Sequence, residues 1–236
     1  MNLILDGIKK GLYLIITAEP EVLEILILSL IVSGSAVAIS LILGIPFGVF
    51  LAVKKFSGKK FLISLINTGM GLPPVTVGLL VTVFLWRSGP LGFMKLLYTP
   101  QAMIIAQVII AFPIVAGLSM TAIQQLDRDI IPQTFALGAS QWQLYLIMVK
   151  EAKLPLLAAV MAGFGGVISE VGSVIMVGGN IKHQTRVLTT AIVMEARKGN
   201  FDVAFALAFI LLALTFLVNF ILTMIQQKKS VVSGEE

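Results

Sequence analysis

The 236-residue sequence contains no cysteine and only one histidine, His183. The chain therefore has no disulfide framework and no thiolate metal site, and one imidazole lacks the companion ligands that a metal site needs. No GxxxxGK[ST] motif is present, so the chain does not carry the phosphate loop of an ATPase. With one histidine, the sequence also gives no indication of a nucleophile–histidine–acid catalytic arrangement. The sequence predicts a protein that is not an enzyme and has no cofactor of its own.

Charged residues are scarce as well, at 12% of the chain against 58% hydrophobic residues. The mean hydropathy of +1.01 exceeds what a soluble domain of this size requires, so the composition favours a membrane protein. The 21 glycines and nine prolines lie mostly inside apolar runs, as is usual in membrane helices. The net charge is +5, but no aromatic and basic groove pattern accompanies it. We expect the basic residues to set topology and not to bind nucleic acid.

Five apolar runs are long enough to cross a bilayer, which needs about 20 apolar residues per helix. The runs are Leu26–Val53, Phe61–Trp86, Ala102–Ile123, Leu154–Val177 and Val203–Ile225. They predict an all-α membrane protein with five transmembrane helices. Residues 1–20 are predicted to form an amphipathic helix at the membrane interface, with a cleaved signal peptide as the alternative. Residues 228–236 are predicted to be a disordered tail.

Lysine residues near the ends of the spans predict the orientation. The loop after the first span holds Lys54, Lys55, Lys59 and Lys60, and the last span is followed by Lys228 and Lys229. The basic residues Arg87, Lys95, Lys182, Arg186, Arg197 and Lys198 lie on the other side, so the compact four-lysine loop carries the most weight. We expect the side of this loop to face the cytoplasm, together with the polar stretch 124–153. Since the number of spans is odd, the N-terminus would lie outside and the C-terminus in the cytoplasm.

The polar stretch 124–153 predicts two short helices that are separated at Gly138. Pro132 suits the first turn of the first helix, where its missing N–H would be unpaired anyway. Ser140 can cap a second, amphipathic helix, Gln141 to Lys150, through its hydroxyl group. A rigid helix–glycine–helix elbow beside a membrane is a lever that a soluble partner can push.

Two spans contain residues that are unusual in lipid-facing helices. In the second span, Gly71, Pro73 and Pro74 predict a break, and irregular backbone is tolerated at membrane depth only inside protein or beside a wet cavity. N–H groups freed near Thr76 can face an anion, although a purely structural kink is an equal alternative. In the fourth span, Glu170 is the only ionisable residue inside any run.

Glu170 is predicted to share one helical face with Gly166 and Ser173, and so to lie on a packed side of its helix. Acids inside a membrane are functional candidates by default. A carboxylate repels an anion, however, so we favour a structural role in which it is bonded to backbone or hydroxyl groups. Gln107, a lone amide in the third span, is expected to bond a neighbouring helix.

The connection between the last two spans, residues 178–200, is basic through Lys182, His183 and Arg186. It predicts a polar loop followed by a helix from Leu188 to Lys198, which Gly199 would end. The loop is either a solvated connection or a landing surface for a partner outside the membrane.

The elbow resembles the coupling loop of bacterial ABC importer permeases. The residues that carry this resemblance are Leu137, Gly138, Ala139, Ser140, Trp142 and, later, Leu154 and Pro155. The acidic start of the family pattern is replaced here by Pro132, Gln133 and Thr134, and the Leu-Pro pair lies four residues later, about one helical turn. Longer stretches, such as NTGMGLPPVTVGLLV and GGVISEVGSVIMVGGNI, are similar to the tungstate-specific branch of the family, and molybdate permeases are the nearest relatives.

The resemblance implies a MetI-like, type I ABC importer permease fold over residues 21–227. It implies a homodimeric pore, a partner ATPase dimer that binds ATP and magnesium, and an extracytoplasmic tungstate-binding protein, in the lipid of a bacterial or archaeal inner membrane. The ATPase would contact Leu137, Gly138, Ala139, Ser140, Gln141 and Trp142. The pathway or gate would include Asn67, Pro73, Pro74, Thr76, Ser169, Glu170 and Ser173. The binding protein would dock at Asn180, Lys182 and Arg186.

Two alternatives remain open. One is a permease for molybdate or another solute. The other is an ion-coupled secondary transporter, which Glu170 and the break at Pro73 and Pro74 would suit. The absence of an internal repeat counts against the second alternative.

Overall fold

A computed structural model of the chain describes residues 2–17, 19–127 and 129–232. The α-helices in these ranges are α1 Asn2–Ile16, α2 Pro20–Val53, α3 Lys59–Met70, α4 Pro74–Leu85, α5 Pro100–Gln124, α6 Ile130–Ala136, α7 Gln141–Glu151, α8 Lys153–Ile168, α9 Gly172–Gly178, α10 Leu188–Arg197 and α11 Phe201–Val232. A 3₁₀ turn, Gly92–Met94, lies between α4 and α5. The predicted all-α class is confirmed over the described ranges.

Three of these helices, α2, α5 and α11, are long and apolar enough to cross a membrane alone. Two further candidates are bent pairs, in which α3 meets α4 at 101° and α8 meets α9 at 58°. If each bent pair is one span, the total is up to five, in the order that the sequence predicts. The first break comprises residues 71–73, and its position agrees with the prediction from Gly71, Pro73 and Pro74.

The second break, residues 169–171, corrects the sequence analysis. Gly166, Glu170 and Ser173 do not lie on one continuous helix, because α8 ends at Ile168 and α9 begins at Gly172. No proline marks this break, and two of the side chains that bond to it, Gln107 and Thr189, lie in other parts of the chain.

The bundle is centred on α5, against which α2, α3, α4, α8 and α9 pack. The two long helices α2 and α5 approach most closely at glycines of α2. A Cβ on Gly44 would lie 2.8 Å from Val115 Cγ1, and a Cβ on Gly48 would lie 2.6 Å from the Ala116 carbonyl oxygen. Small residues thus permit the close helix contact that membrane bundles favour.

The N-terminal helix α1 packs along the start of α11. Gly7 faces α11 without room for a side chain, Gly11 lies close to Ala206 of α11, and Leu14 is buried nearby. The ammonium group of Lys10 pairs with the carboxylate of Asp202 at the start of α11. The amphipathic helix predicted in residues 1–20 is thus fastened to the bundle, and its position at the membrane surface stays a prediction.

At the other end of the chain, α11 continues to Val232. The sequence predicts a disordered tail from residue 228, whereas residues 228–232 are helical in the structure. Residues 233–236 of the predicted tail lie outside the described residues.

Candidate coupling elbow and translocation pathway

Helices α6 and α7 form the predicted elbow. Gly138 has a φ of +77°, in the left-handed region that favours glycine. The Ser140 hydroxyl accepts a hydrogen bond from the Gln143 N–H at 3.4 Å, and the Gln143 side chain accepts one from the Ser140 N–H at 2.7 Å. This reciprocal capping box satisfies two N–H groups at the helix start. The break at Gly138 and the cap at Ser140 are both where the sequence predicts them.

The two faces of the elbow differ in burial. Leu144 and Met148 of α7 are buried against the ends of α2, α5 and α8. Leu137 and Trp142, on either side of the turn, are 89% and 69% exposed. Large apolar side chains presented together on a rigid turn are typical of an interaction surface. The elbow is therefore anchored to the spans at one face and available to a partner at the other.

The elbow is also tied to the loop that follows the first span. Lys54 Nζ donates a hydrogen bond of 3.1 Å to Gln141 Oε1 at the start of α7. This contact places the basic loop and the elbow at the same end of the bundle. Both were predicted to lie on one side of the membrane.

At the first break, the residues predicted for the pathway are largely at the surface of the chain. Asn67, Pro73 and Thr76 are exposed, and Pro74 is half-buried. Pro74 is the first residue of α4, where proline is favoured because its missing N–H is not needed. The exposed polar side chains therefore lie beside a sharp bend within a predicted span.

At the second break, Glu170 is buried and bonded to backbone. Its Oε1 atom accepts a hydrogen bond of 2.9 Å from the Ser173 N–H, in the first turn of α9. Its own carbonyl oxygen accepts a bond of 2.9 Å from the Thr189 hydroxyl. A carboxylate at a helix N-terminus satisfies an otherwise free N–H and interacts well with the helix dipole. This bond to a backbone N–H is the structural role that the sequence favours for Glu170.

Gln107 supports the same break from the central helix. Its Nε2 atom donates a hydrogen bond of 3.1 Å to the Val167 carbonyl oxygen, in the last turn of α8. The prediction that this amide bonds a neighbouring helix is confirmed. The same carbonyl oxygen also accepts the Glu170 N–H at 3.2 Å, so Gln107 adds a second, long-range bond at the end of α8.

The two breaks lie against each other, because α4 packs on α9. A Cβ on Gly78 would lie 2.6 Å from Ser173 Cα, and one on Gly172 would lie 2.6 Å from Val75 Cγ2. Ser173 is fully buried in this contact. Ser169 remains exposed, and its hydroxyl donates a bond of 2.7 Å to the Gly165 carbonyl oxygen. The structure thus places Ser169 near the break that carries Thr76.

The basic loop between α9 and α10 lies over the start of α2. Lys182 Nζ is 2.8 Å from Glu21 Oε2, and Arg186 is 3.4 Å from Glu21 Oε1. His183 Nδ1 is 2.6 Å from Glu24 Oε2. The two glutamates were missed by the sequence analysis, although acids one turn apart at the start of a span could have indicated a basic partner.

Asn180 has a different position from its two basic neighbours. Its φ is +52°, and its side-chain oxygen accepts a hydrogen bond of 2.9 Å from the Thr190 hydroxyl. Lys182 is half-exposed, whereas only 14% of the Arg186 side chain is exposed. Of the three predicted docking residues, Lys182 thus presents the most surface.

Most of the chain matches one protein family in sequence. Residues 44–231 match the family described as the binding-protein-dependent transport system inner membrane component. The chain belongs to this family of multi-pass membrane permeases.

Three relatives are similar over most of their length. A probable anion ABC transporter permease protein of Haloferax volcanii is 47% identical, covering 81% of this chain and 84% of the relative. The tungstate uptake system permease TupB of Peptoclostridium acidaminophilum is 39% identical, covering 97% and 100%. TupB of Campylobacter jejuni is 34% identical, covering 94% and 92%.

Solved structures of two ABC transporters show the same fold. The methionine transporter MetNI in an inward-facing conformation matches with a TM-score of 0.68, over 89% of this chain and 94% of that chain. An amino acid ABC transporter with histidines matches with a TM-score of 0.66, over 91% and 96%. Each is 19% identical, so these matches show the fold alone. The predicted MetI-like permease fold is confirmed.

Proposed function

We propose that this chain is the transmembrane permease subunit of an ABC importer that moves tungstate into the cytoplasm. The proposal rests chiefly on the elbow, whose exposed Leu137 and Trp142 stand on a turn that is anchored to three spans. The choice of tungstate is supported by the two tungstate uptake permeases, which are similar over nearly the whole chain.

The energy for transport would come from a partner ATPase dimer, which binds ATP and magnesium. The tip from Leu137 to Trp142 would enter a cleft on that ATPase. The capping box at Ser140 keeps the turn rigid, and Leu144 and Met148 link it to α2, α5 and α8. When the two ATPase subunits close, the elbow would therefore move as a rigid body and displace the ends of these spans.

The pathway would run past the two breaks, between two copies of the chain. Tungstate is a tetrahedral dianion, which is very costly to place in an apolar medium without hydrogen-bond donors. Asn67 and Thr76 are exposed beside the breaks and offer such donors, and the exposed Ser169 hydroxyl would offer its proton on leaving the Gly165 carbonyl oxygen. Glu170 is buried and caps α9, so its charge would be held away from the anion. The second copy would cover this exposed surface and close the pore.

The orientation follows from the elbow. The ATPase side is cytoplasmic, so the elbow, the basic loop at Lys54 and the C-terminus would face the cytoplasm, and the N-terminus would lie outside. An extracytoplasmic tungstate-binding protein would then dock over the loop that contains Asn180, Lys182 and Arg186. Because Glu21 and Glu24 pair with this loop, the docking surface carries mixed charge.

The proposal is tested with the chain reconstituted into liposomes together with its ATPase and binding protein. The expected result is tungstate uptake that requires ATP and is not inhibited by an equal concentration of molybdate. The Trp142→Ala variant should lose both ATPase binding and uptake. Trp86→Ala is the matched control, since Trp86 is the other tryptophan and is 49% exposed far along the chain from the elbow.

Three results would contradict the proposal in different ways. Normal ATPase binding by Trp142→Ala would remove the lever role of the elbow. Preferential uptake of molybdate would change the substrate and leave the ABC class intact. Uptake that survives removal of ATP but stops when an ion gradient is collapsed would indicate a secondary transporter.

A further inference from the structure

A small polar cavity lies beside the second helix break, between α2, α5, the end of α8 and the start of α10. Each of the ten residues that line it is buried. The polar residues in its wall are Ser29, Ser33, Gln107, Glu170 and Thr189. The exposed side chains of the proposed pathway, Asn67, Thr76 and Ser169, do not line it, so the cavity is an internal feature of the bundle.

The size of the cavity limits what it can hold. It offers about 10 Å³ of space for a water-sized sphere, and one water molecule needs roughly 10–15 Å³ by this measure. A tetrahedral oxyanion, a lipid headgroup or an organic ligand is too large. Cavities that stay empty are apolar, whereas half of the lining residues here are polar.

Two of the polar side chains already use their hydroxyl protons within the protein. Ser29 donates to the Ile25 carbonyl oxygen at 2.7 Å and accepts from the Leu188 N–H at 2.8 Å. Thr189 donates to the Glu170 carbonyl oxygen at 2.9 Å. Neither hydroxyl group therefore has a proton left for the other groups in the cavity wall.

Two acceptors in the wall lack a donor. Gln107 Oε1 is buried and has no hydrogen-bond partner among the described residues. The Glu170 carboxylate accepts from the Ser173 N–H through Oε1, while Oε2 accepts no bond within the part of the chain that the structure describes. Two acceptors cannot bond each other, and a buried acceptor that stays unpaired costs stability. The cavity therefore selects a ligand with two protons to donate.

The third group with free capacity is the hydroxyl of Ser33 on α2. Ser33 is 4% exposed, and its hydroxyl forms no hydrogen bond within residues 2–17, 19–127 and 129–232. It can donate to the same ligand that the two acceptors bond. A metal ion is a poor match, because Mg²⁺ and Ca²⁺ take about six or more oxygen ligands and only these three side chains have free capacity in the described cavity wall.

We propose that this cavity holds one ordered water molecule. The water donates to Gln107 Oε1 and to the Glu170 carboxylate, and it accepts from the Ser33 hydroxyl. Three hydrogen bonds are typical of a buried water, and such a water is costly to remove. It joins α2, α5 and the second break, and so adds a contact that the direct hydrogen bonds of these elements do not provide.

The direct test is a high-resolution structure of the full chain in a lipid bilayer, with a map that shows other buried waters. The expected result is one density peak in the cavity, about 2.8 Å from Gln107 Oε1, Ser33 Oγ and a Glu170 carboxylate oxygen. The peak should persist when sodium is replaced by choline and divalent ions are removed by a chelator, because a water molecule needs neither.

Two serines of α2 supply matched variants. Ser33→Ala removes one of the three partners of the water, so the peak should weaken and the unfolding equilibrium constant in detergent should rise about fivefold, the effect of one ordinary hydrogen bond. Ser40→Ala is the control. Ser40 is fully buried and its hydroxyl has no partner among the described residues, but it does not line the cavity. Its removal should leave the peak and the unfolding constant unchanged.

A double variant separates the water from a direct effect of Ser33. In a Gln107→Leu background, Ser33→Ala should raise the unfolding constant less than it does in the unaltered chain, because both side chains act through the same water. Ser40→Ala should behave alike in both backgrounds.

Three outcomes would overturn the proposal. An empty cavity in such a map, or equal effects of Ser33→Ala and Ser40→Ala on unfolding, would show that no water is held. A peak roughly 2.0–2.6 Å from its oxygen neighbours that disappears with the chelator or with sodium would show a metal ion instead. Each result leaves the proposed transport function untouched, because the cavity lies apart from the exposed residues of the pathway.

Discussion

Both helix breaks in this molecule bend a candidate membrane span, by 101° and 58°, but the bends have different causes. The first break, between α3 and α4, contains Gly71 and Pro73 and is followed by Pro74. The second break, between α8 and α9, contains no proline, and its hydrogen bonds come from Gln107, from Glu170 itself and from Thr189. The first is thus specified by the backbone preferences of neighbouring residues. The second depends on individual hydrogen bonds, one local, between Glu170 and Ser173, and two from the distant residues Gln107 and Thr189.

This difference predicts how each break responds to substitution. A break that several neighbouring residues favour should tolerate the loss of any one of them. A break that depends on individual side-chain hydrogen bonds should weaken whenever one of them is lost. Since the breaks pack on each other through α4 and α9, damage to their common contact should affect both.

The largest effect is expected where the two breaks touch. Gly78→Ala would place a Cβ 2.6 Å from Ser173 Cα, so the backbone of α4 or α9 must move. We expect a loss of about 3 kcal/mol of stability, the upper end of the usual cost of overpacking. Thermal unfolding in detergent measures the change. Gly34→Ala in α2 is the control, because nothing lies within 4 Å of its Cβ position. If both variants unfold alike, the contact between the breaks is not tight.

The next largest effect is expected at Glu170. Glu170→Ala leaves the buried Ser173 N–H without an acceptor, at a cost of about 2 kcal/mol. Glu170→Gln retains an oxygen at that position and should recover most of the stability and most of the tungstate uptake. Uptake in reconstituted liposomes and thermal unfolding are the two readouts. A Glu170→Gln variant as inactive as Glu170→Ala would show that the negative charge has a role in transport beyond capping α9.

A smaller effect is expected at Gln107. Gln107→Ala removes the hydrogen bond to the Val167 carbonyl oxygen and should cost about 1 kcal/mol, because amide bonds between membrane helices are individually modest. Because the bond supports only the second break, hydrogen exchange should increase at the end of α8 and remain unchanged in α3 and α4. An equal increase of hydrogen exchange in α3–α4 and in α8–α9 would contradict the view that different interactions hold the two breaks.

The smallest effect is expected at the first break. Pro73→Ala should change stability by no more than about 0.5 kcal/mol, since Gly71 and Pro74 still disfavour a continuous helix. Transport should continue at a similar rate. A loss as large as that of Glu170→Ala would show that the first break also depends on a single residue.

The parts of the fold that could be predicted are those with local causes. Gly138 and Ser140 determine the elbow through their own backbone and side-chain preferences. The second break could not be predicted, because Gln107 and Val167 are 60 positions apart in sequence. The pairing of Lys182 with Glu21 spans 161 positions and was missed for the same reason. Composition indicates that these polar residues need partners, but it does not indicate which partners the fold provides.

The packing of α1 illustrates a related limit. Periodicity predicts an amphipathic helix, and α1 is one, but its buried side is defined by Gly7 and Gly11 as well as by Leu14. Glycines add no hydrophobicity to a helical face, so a pattern of apolar residues does not identify them as contacts. Gly7 is required here because a Cβ would lie 2.4 Å from Phe205 Cβ of α11, and Gly11 keeps a close contact in which a Cβ would lie 3.0 Å from the Ala206 carbonyl oxygen.

The measurement that tests the account most directly uses the absence of cysteine in this chain. Ser169→Cys would introduce its only thiol, at the exposed position beside the two breaks. In the reconstituted importer, a membrane-impermeant maleimide should label this thiol from the elbow side without nucleotide, and from the opposite side when ATP is trapped. Leu212→Cys, on the exposed apolar surface of α11, should stay unlabelled in both states. Labelling of Ser169→Cys that is independent of side and of nucleotide would contradict a pathway that passes the breaks.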